Sequence, residues 1–133
     1  GELGLAALLA SLMRVPDSSV DLILPMPLHP RRLAERGFNQ AAELARRLAA
    51  RAGKPWDAGR CQRVRDTPPQ AGLDLKTRQR NLLGAFTCAP VAGLRIAVLD
   101  DVMTTGASLN ALARTLKAAG AAHVENWVLA RTL

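Results

Sequence analysis

Aromatic side chains are nearly missing from this chain: two Phe, two Trp and no Tyr make up 3% of its 133 residues. So few large flat groups argue against an all-β sandwich and favour close helix-on-sheet packing, because apolar residues, alanine among them, still reach 49%. Cysteine is also scarce. Cys61 and Cys88 stand far apart and fall in no CxxC or Cys/His ligand pattern, which argues against a structural zinc site within the chain. Each is expected as a small buried hydrophobe in a reducing, cytoplasmic setting. Long apolar runs are lacking as well. Leu3 to Met13 is apolar, yet it has no basic leader and is too short to span a bilayer, so it reads as a packing helix and no membrane association is expected. Negative charge is in deficit, with 11 Asp and Glu against 18 Lys and Arg, a net +7. That balance suits an anionic partner, either nucleic acid or a small polyphosphate. No basic run reaches the block length of a nucleic-acid tail, so direct nucleic-acid binding stays open without a motif to support it.

What the chain does have is alternation of strand and helix signals within one domain, 1–133, the length allowing one substantial core. Residues 1–19 read as an N-terminal helix and lead-in. Val20 to Met26 is a short apolar run ending as a buried strand at Pro25. Asn39 is placed to cap a helix whose apolar positions Ala42, Leu44, Ala45, Leu48 and Ala49 recur until Gly53. Arg60 to Arg65 reads as a second, less buried strand, and Asp66 to Asn81 as a mobile loop, within a flexible loop and small hairpin region at 66–90. Phe86 to Cys88 is a short strand and Arg95 to Asp100 a central one. Ser108 to Ala119 is a helix stopped by Gly120, and His123 to Ala130 a final strand. The fold class that follows is α/β, a central mostly parallel sheet flanked by helices. Right-handed crossovers would bring the loops after Met26 and after Leu99 to one carboxyl edge of that sheet. The chain opens on Gly1 rather than Met, as a piece of a longer protein would.

Chemistry concentrates between Leu94 and Leu116. An apolar strand ends in Asp100 and Asp101, followed by the small loop Thr104, Thr105, Gly106, Ala107, Ser108 and then a helical pattern. Backbone N–H groups at a helix start have no intrahelical partner and carry partial positive charge, so they suit a phosphate. Carboxylates beside them suit sugar hydroxyls or a hard divalent cation. The alternative for the acid pair is a turn and helix cap. The other loop at the same edge offers Leu28, His29, Arg31, Arg32, Arg36 and Asn39, so a ligand bridging both would carry phosphate at each end and hydroxyls between. Duller roles are open too: His29 as a loop residue bonding backbone, one arginine pairing with Glu35 or Glu43, Arg46, Arg47 and Arg51 as a solvated face, and Trp56 and Trp127 as packing residues.

The segment Val98 to Ser108 resembles the PRPP-binding signature of type I phosphoribosyltransferases. Four further runs narrow the likeness to the ComF/GntX family of phosphoribosyltransferase-like proteins: Pro25-Met-Pro-Leu-His, Arg36-Gly-Phe-Asn-Gln, Arg63-Val-Arg65-Asp-Thr67-Pro-Pro-Gln70 and Arg80-Asn81-Leu-Leu-Gly-Ala-Phe86. The resemblance covers the chain from about Val20 onward. It implies the type I phosphoribosyltransferase fold, with 5-phosphoribosyl-1-pyrophosphate (PRPP) as ligand, Mg²⁺ as its counter-ion and a flexible loop over the site. By the same likeness Asp100 and Asp101 would hold the ribose hydroxyls and, through PRPP and water, the Mg²⁺. Met103 to Ser108 would wrap the 5′-phosphate. Leu28 to Arg32 would form the pyrophosphate loop, with Arg36 and Asn39 beside it, and Arg65 would open the loop over the site. Asp100, Asp101, Arg32 and Arg65 are the catalytic candidates.

Two departures refine the implication. Purine-salvage members carry an aspartate where this chain has Thr104, which cannot handle a base's proton, so the departure argues against purine-base transfer and leaves open an acceptor needing no deprotonation. The cysteine-rich, zinc-ribbon-like region common in the family is also lacking, as in a truncated or shorter member. The expected function is Mg²⁺-dependent phosphoribosyl transfer to a nitrogenous acceptor with release of pyrophosphate. The alternatives are a non-catalytic PRPP- or nucleotide-binding module and a nucleic-acid accessory protein, in competence or DNA uptake, and a homodimer would suit the fold.

Overall fold

A computed structural model of the chain describes residues 19–65, 74, 76–77, 82, 84–103 and 106–131, with the backbone alone at 102–103 and 129–131. The N-terminal helix expected at 1–19 and most of the loop expected at 66–81 lie outside the described residues.

Three parallel strands form the centre: β1 (Leu22–Pro25), β4 (Arg95–Met103) and β5 (His123–Arg131), in the order β1-β4-β5. β1 sets Leu22 against Ile96 and Pro25 against Leu99, and β4 sets Ile96 against Val124 and Leu99 against Trp127. Their near-continuous apolar runs reflect burial on both faces, as a covered parallel sheet requires. Alternate residues go to opposite sides. Leu22, Leu24, Ile96 and Val98 pack with Leu109, Leu112 and Leu116 of α3 (Ala107–Ala118), whereas Ile23, Ala97, Leu99 and Trp127 pack with Leu44, Ala45, Leu48 and Ala49 of α2 (Gln40–Ala52). Full burial of such side chains is worth about 1.5–3 kcal/mol each.

The chain winds in two directions from this centre. After α2 it returns beside β1, where Trp56 bridges Ile23 in parallel, Ile23 N–H donating to Pro55 O at 3.0 Å and Asp57 N–H to Ile23 O at 3.2 Å. After β4 it passes through α3 to β5 on the other side. Helices on opposite faces follow from that reversal, and the reversal falls between β1 and β4.

Local signals explain the helix limits. The Asn39 side chain accepts from Ala42 N–H at 3.3 Å, and Gly53 ends α2 in the left-handed conformation with φ +67°. Gly120, at φ +106°, closes α3, and a Cβ there would stand 2.9 Å from Ala92 Cα, so both conformation and space require glycine.

Four expectations are corrected. The stretch after Leu28, read as loop, holds a helix, α1 (Pro30–Arg36), with Pro30 in its first turn, His29 as cap and left-handed Gly37 after it. None of its residues is buried, so it carries no apolar periodicity to be read. β4 runs on through Asp100 and Asp101 to Met103 instead of ending at the acid pair. Arg47 is not simply part of a solvated face: it is half-buried, and its Nε is shielded with no hydrogen-bond partner.

The fourth concerns the cysteines. β2 (Cys61–Arg63) and β3 (Phe86–Cys88) form a separate antiparallel ribbon that places Cys61 directly opposite Cys88, their Cα atoms 4.2 Å apart and their sulfurs in a disulfide. Separate reduced thiols are therefore not what the fold holds. Cys61, Phe86, Leu82, Ala85 and Val91 pack this ribbon onto the α3 side of the sheet.

The bond closes a stretch of 27 residues, for which chain entropy gives roughly 3.5 kcal/mol. Urea unfolding of the Cys61→Ser/Cys88→Ser protein is expected to show a loss of about that size, and reduction of the parent chain should give the same midpoint.

Candidate functional site

Because β1 and β4 are parallel and in register, the loops that leave their carboxyl ends emerge side by side. Met26 N–H donates to Leu99 O at 2.8 Å, fixing the start of one loop against the end of the buried part of β4. The Asn39 amide donates to Met26 O at 3.2 Å while its oxygen caps α2, so one side chain ties the first loop to a helix start. The run Arg36-Gly-Phe-Asn-Gln thus has a local meaning: Gly37 ends α1 and Asn39 begins α2.

Asp100 and Asp101 stand next on β4. Asp101 N–H donates to Asp100 Oδ1 at 2.9 Å. Burial pushes the Asp100 carboxyl up to about 7 from 3.8, helped by a hydrogen bond and by repulsion from the Asp101 carboxyl; the Asp101 N–H and the Arg63 guanidinium act the other way without winning. Two carboxylates are the whole local donor set, since no group of three or more His, Cys, Asp or Glu is gathered for a metal among the described residues. Such a pair fits Mg²⁺ held mainly by substrate phosphates and water, and does not make a protein cage.

Other predicted residues divide. Met103 is the last residue of β4, Gly106 caps α3 at φ +79°, Ala107 and Ser108 open that helix, and Thr104 and Thr105 lie outside the described residues. Gly106 offers no side chain to cap α3, and no acidic residue stands in its first turn. His29 Nδ1 accepts from Arg31 N–H at 3.1 Å, the backbone bond expected of it. Arg31 pairs with Glu35 at 3.8 Å on the exposed side of α1, and Arg46 with Glu43 at 3.0 Å. Arg32, half-buried, and Arg36, exposed, share the i,i+4 spacing on α1. Arg65 is exposed, just past β2.

Sequence reasoning missed Arg63. It is directly opposite Phe86 across the ribbon, its guanidinium carbon 5.3 Å from the ring centroid, and it is the cation that bears on Asp100. The stacking on a buried ring holds it in place. Arg63 and Arg65 are both arginines of one run, and only the pairing register of β2 separates them.

The described residues also line a half-open cavity of about 540 Å³ at this edge, between the β1–α1 loop, the start of α2 and β2. Leu28 and Arg63 both lie on its wall.

Comparison with known proteins is consistent with this geometry. No family model matches the chain. It is 44% identical over 114 residues to the DNA utilization protein YhgH of Salmonella typhi, 85% of this chain and 50% of that protein. The YhgH protein of Escherichia coli K12 is 40% identical over the same shares. Competence protein F of Haemophilus influenzae is 36% identical over 123 residues, 90% of this chain and 52% of that one. The chain therefore spans about half the length of the curated relatives it matches. Among solved structures, glutamine PRPP amidotransferase from B. subtilis superposes with a TM-score of 0.60 at 18% identity, covering 96% of this chain and 26% of that one. Purine phosphoribosyltransferase from Pyrococcus horikoshii gives 0.51 at 18%, covering 98% and 73%. The fold is that of the type I phosphoribosyltransferases.

The buried acid pair makes a stability prediction. In the metal-free folded chain Asp100 keeps its proton at pH values where an unfolded aspartate has lost it, so the folded state binds more protons between about pH 4 and 7. Stability from this group is full below that window and falls as pH rises through it, by roughly 1.4 kcal/mol for each pH step crossed. Thermal unfolding followed from pH 5 to 8 should show that decline, and the Asp100→Asn protein should flatten it and melt higher at pH 8.

Proposed function

Homologous to competence protein F and the YhgH proteins, and built on the phosphoribosyltransferase fold, this chain is, we propose, an enzyme that moves the phosphoribosyl group of PRPP to a nitrogenous acceptor. One observation carries the reading: two carboxylates lie at the carboxyl end of the central strand, where the winding of the sheet reverses, with a helix start just beyond them whose cap position, Gly106, has no side chain. Ligands of open α/β sheets lie at that crevice.

In this reading Asp100 and Asp101 accept hydrogen bonds from the ribose 2′ and 3′ hydroxyls, and the turn from Met103 into α3 donates backbone N–H groups to the 5′-phosphate. The bond from ribose C1 to the pyrophosphate oxygen breaks as the acceptor nitrogen bonds to C1, and the electron pair leaves with pyrophosphate. Charge on that leaving group grows in the transition state, so Arg32 and Arg65 act there as donors. Mg²⁺, when bound with PRPP, would supply further compensation of phosphate charge. The half-positive ribose carbon is stabilised by the nearby carboxylates. PRPP made in the cytoplasm would put the protein there, where the Cys61–Cys88 pair would be open to reduction.

A second reading is favoured by the names of the relatives, which concern DNA utilization and competence: a PRPP- or nucleotide-binding module without turnover, serving DNA uptake. The two share the ligand and differ in product.

Mg²⁺ and PRPP together are expected to raise the melting temperature, with the rise lost in Asp101→Asn. Pyrophosphate release across bases and amines then divides enzyme from module. Absence of any shift in the parent protein sinks both, and salt-sensitive DNA binding that persists in Asp101→Asn would favour a nucleic-acid role instead.

A further inference from the structure

The β2–β3 ribbon is short for the task of staying paired. Each strand has three residues, and no tight turn joins them: the facing cysteines stand 27 residues apart in sequence. A two-stranded ribbon of that size is marginal in water, and closing its long connection weighs against it. Cys61, Ala85 and Phe86 join the α3-side core, but Gln62, Val64 and Thr87 face water. Backbone ties extend the pairing at both ends, Ala89 N–H donating to Arg60 O at 2.9 Å and Val64 N–H to Ala85 O at 2.7 Å. The Cys61–Cys88 bond is the covalent link between the strands.

That bond is not sealed in the core. Cys61 is 4% exposed, whereas Cys88, the last residue of β3, is half-buried between exposed Thr87 and Ala89. A thiol arriving from solvent therefore meets the Cys88 sulfur, and the Cys61 sulfur is the one that leaves. Arg63 follows Cys61 by two residues on the same face of β2, and a guanidinium on that face favours departure as thiolate. The cysteine end of the ribbon also has a tether that survives cleavage. Arg60 donates through Nε to Asp57 Oδ2 at 3.3 Å and through its terminal nitrogen to Pro90 O at 3.3 Å, so the residue before β2 grips the chain just past β3. The Val64 end has less to hold it, its side chain being 47% exposed.

We infer that the Cys61–Cys88 bond is a reversible thiol–disulfide exchange site for a small cellular thiol, and that its redox state decides whether β2 keeps its place as one wall of the cavity. In the first step a thiolate attacks Cys88 Sγ, the bond to Cys61 Sγ breaks, and the electron pair leaves on Cys61, which takes up a proton. A second thiolate attacks the small thiol's sulfur in the mixed disulfide. Cys88 leaves and is protonated, and the two small thiols depart joined as their own disulfide. The protein has then gained two electrons and two protons. With the bond open, the Arg60 tether keeps the two thiols within reach of each other while the Val64 end parts from β3. Cys61, Gln62, Arg63 and Val64 all line the cavity, so that movement opens its β2 wall and takes Arg63 off the Phe86 ring. None of this depends on the phosphoribosyl-transfer reading.

The test titrates the whole oxidised chain with reduced glutathione at neutral pH, with acid quenching and peptide mapping by mass spectrometry. The first product expected is a mixed disulfide on Cys88 with Cys61 as thiol, followed by the dithiol, and oxidised glutathione should restore the starting species. On reduction the Val64 amide should exchange with solvent about tenfold faster and the Ala89 amide less so, while the Met26 amide, bonded to Leu99 O in the sheet, keeps its rate. Arg63 methylene signals should lose the upfield shift given by the Phe86 ring. In the Cys61→Ser/Cys88→Ser chain glutathione should change none of these readings. Reduction that occurs only after unfolding in urea overturns the exchange site and leaves the bond a structural staple. A mixed disulfide on Cys61 overturns the assignment of the attacked sulfur. Complete reduction with the Val64 and Arg63 signals unmoved, or with Met26 accelerated equally, overturns the control of the cavity wall.

Discussion

The pairing of β1 with β4 is the contact on which the other features of this chain depend. A parallel pair cannot be closed by a tight turn, so each strand has to leave through a long connection. Here the two connections leave in opposite directions, one through α2 to Trp56 and the other through α3 to β5. That reversal covers both faces of a sheet only three strands wide and explains why Ile23, flanked by Leu22 and Leu24, finds apolar partners on a different side from its neighbours. It also leaves the space above the carboxyl ends of β1 and β4 uncrossed by either connection. The Met26–Leu99 hydrogen bond is the point where packing becomes placement: it fixes how far apart the two loops can stand.

Above that point the fold accepts an electrostatic cost. Two neighbouring carboxylates are kept partly out of water, and Asp100 holds its proton to about pH 7 as a result. The compensating cation comes from outside the sheet. Arg63 belongs to the β2–β3 ribbon, which is held by its disulfide and by the burial of Cys61 and Phe86 against α3. A small peripheral element therefore carries a guanidinium whose charge reaches Asp100, a residue far from it in sequence. Sites that carry unfavourable interactions of this kind are common where ligand binding is the gain.

How much of this the sequence reveals follows from where each signal resides. β1, β4 and α2 are legible because double-sided burial writes itself as apolar runs and because Asn39 and Gly53 bracket a helix by their own backbone preferences. α1 is not, although Pro30 and Gly37 stand in the right places, since a helix with no buried residue has no period to show. The acid pair is legible as local chemistry. Arg63, the Cys61–Cys88 bond and the cavity are not, because all three need the register of a ribbon whose strands are separated by a long intervening stretch, and sequence spacing says nothing of that register. Arg47 is hidden for a related reason: helical spacing puts it beside Arg46 and Arg51, but burial depends on what lies over the helix.

The net charge of +7 looks different once the arginines have places. Arg31, Arg46 and Arg60 each face an acidic residue three or four positions away, Glu35, Glu43 and Asp57, and Arg63 lies on an aromatic ring. Exposed pairs of that sort add little to stability, yet they cancel the far field of the charges they contain. Such pairs leave the net charge itself at +7, and one of the cations that make it up, Arg63, lines the cavity and acts on Asp100. A basic composition is usually taken as the footprint of an extended polyanion. In this fold one cation of that composition is held on a buried ring at the wall of a cavity, and a half-buried guanidinium so placed acts more strongly on a neighbouring charge than a fully solvated one does.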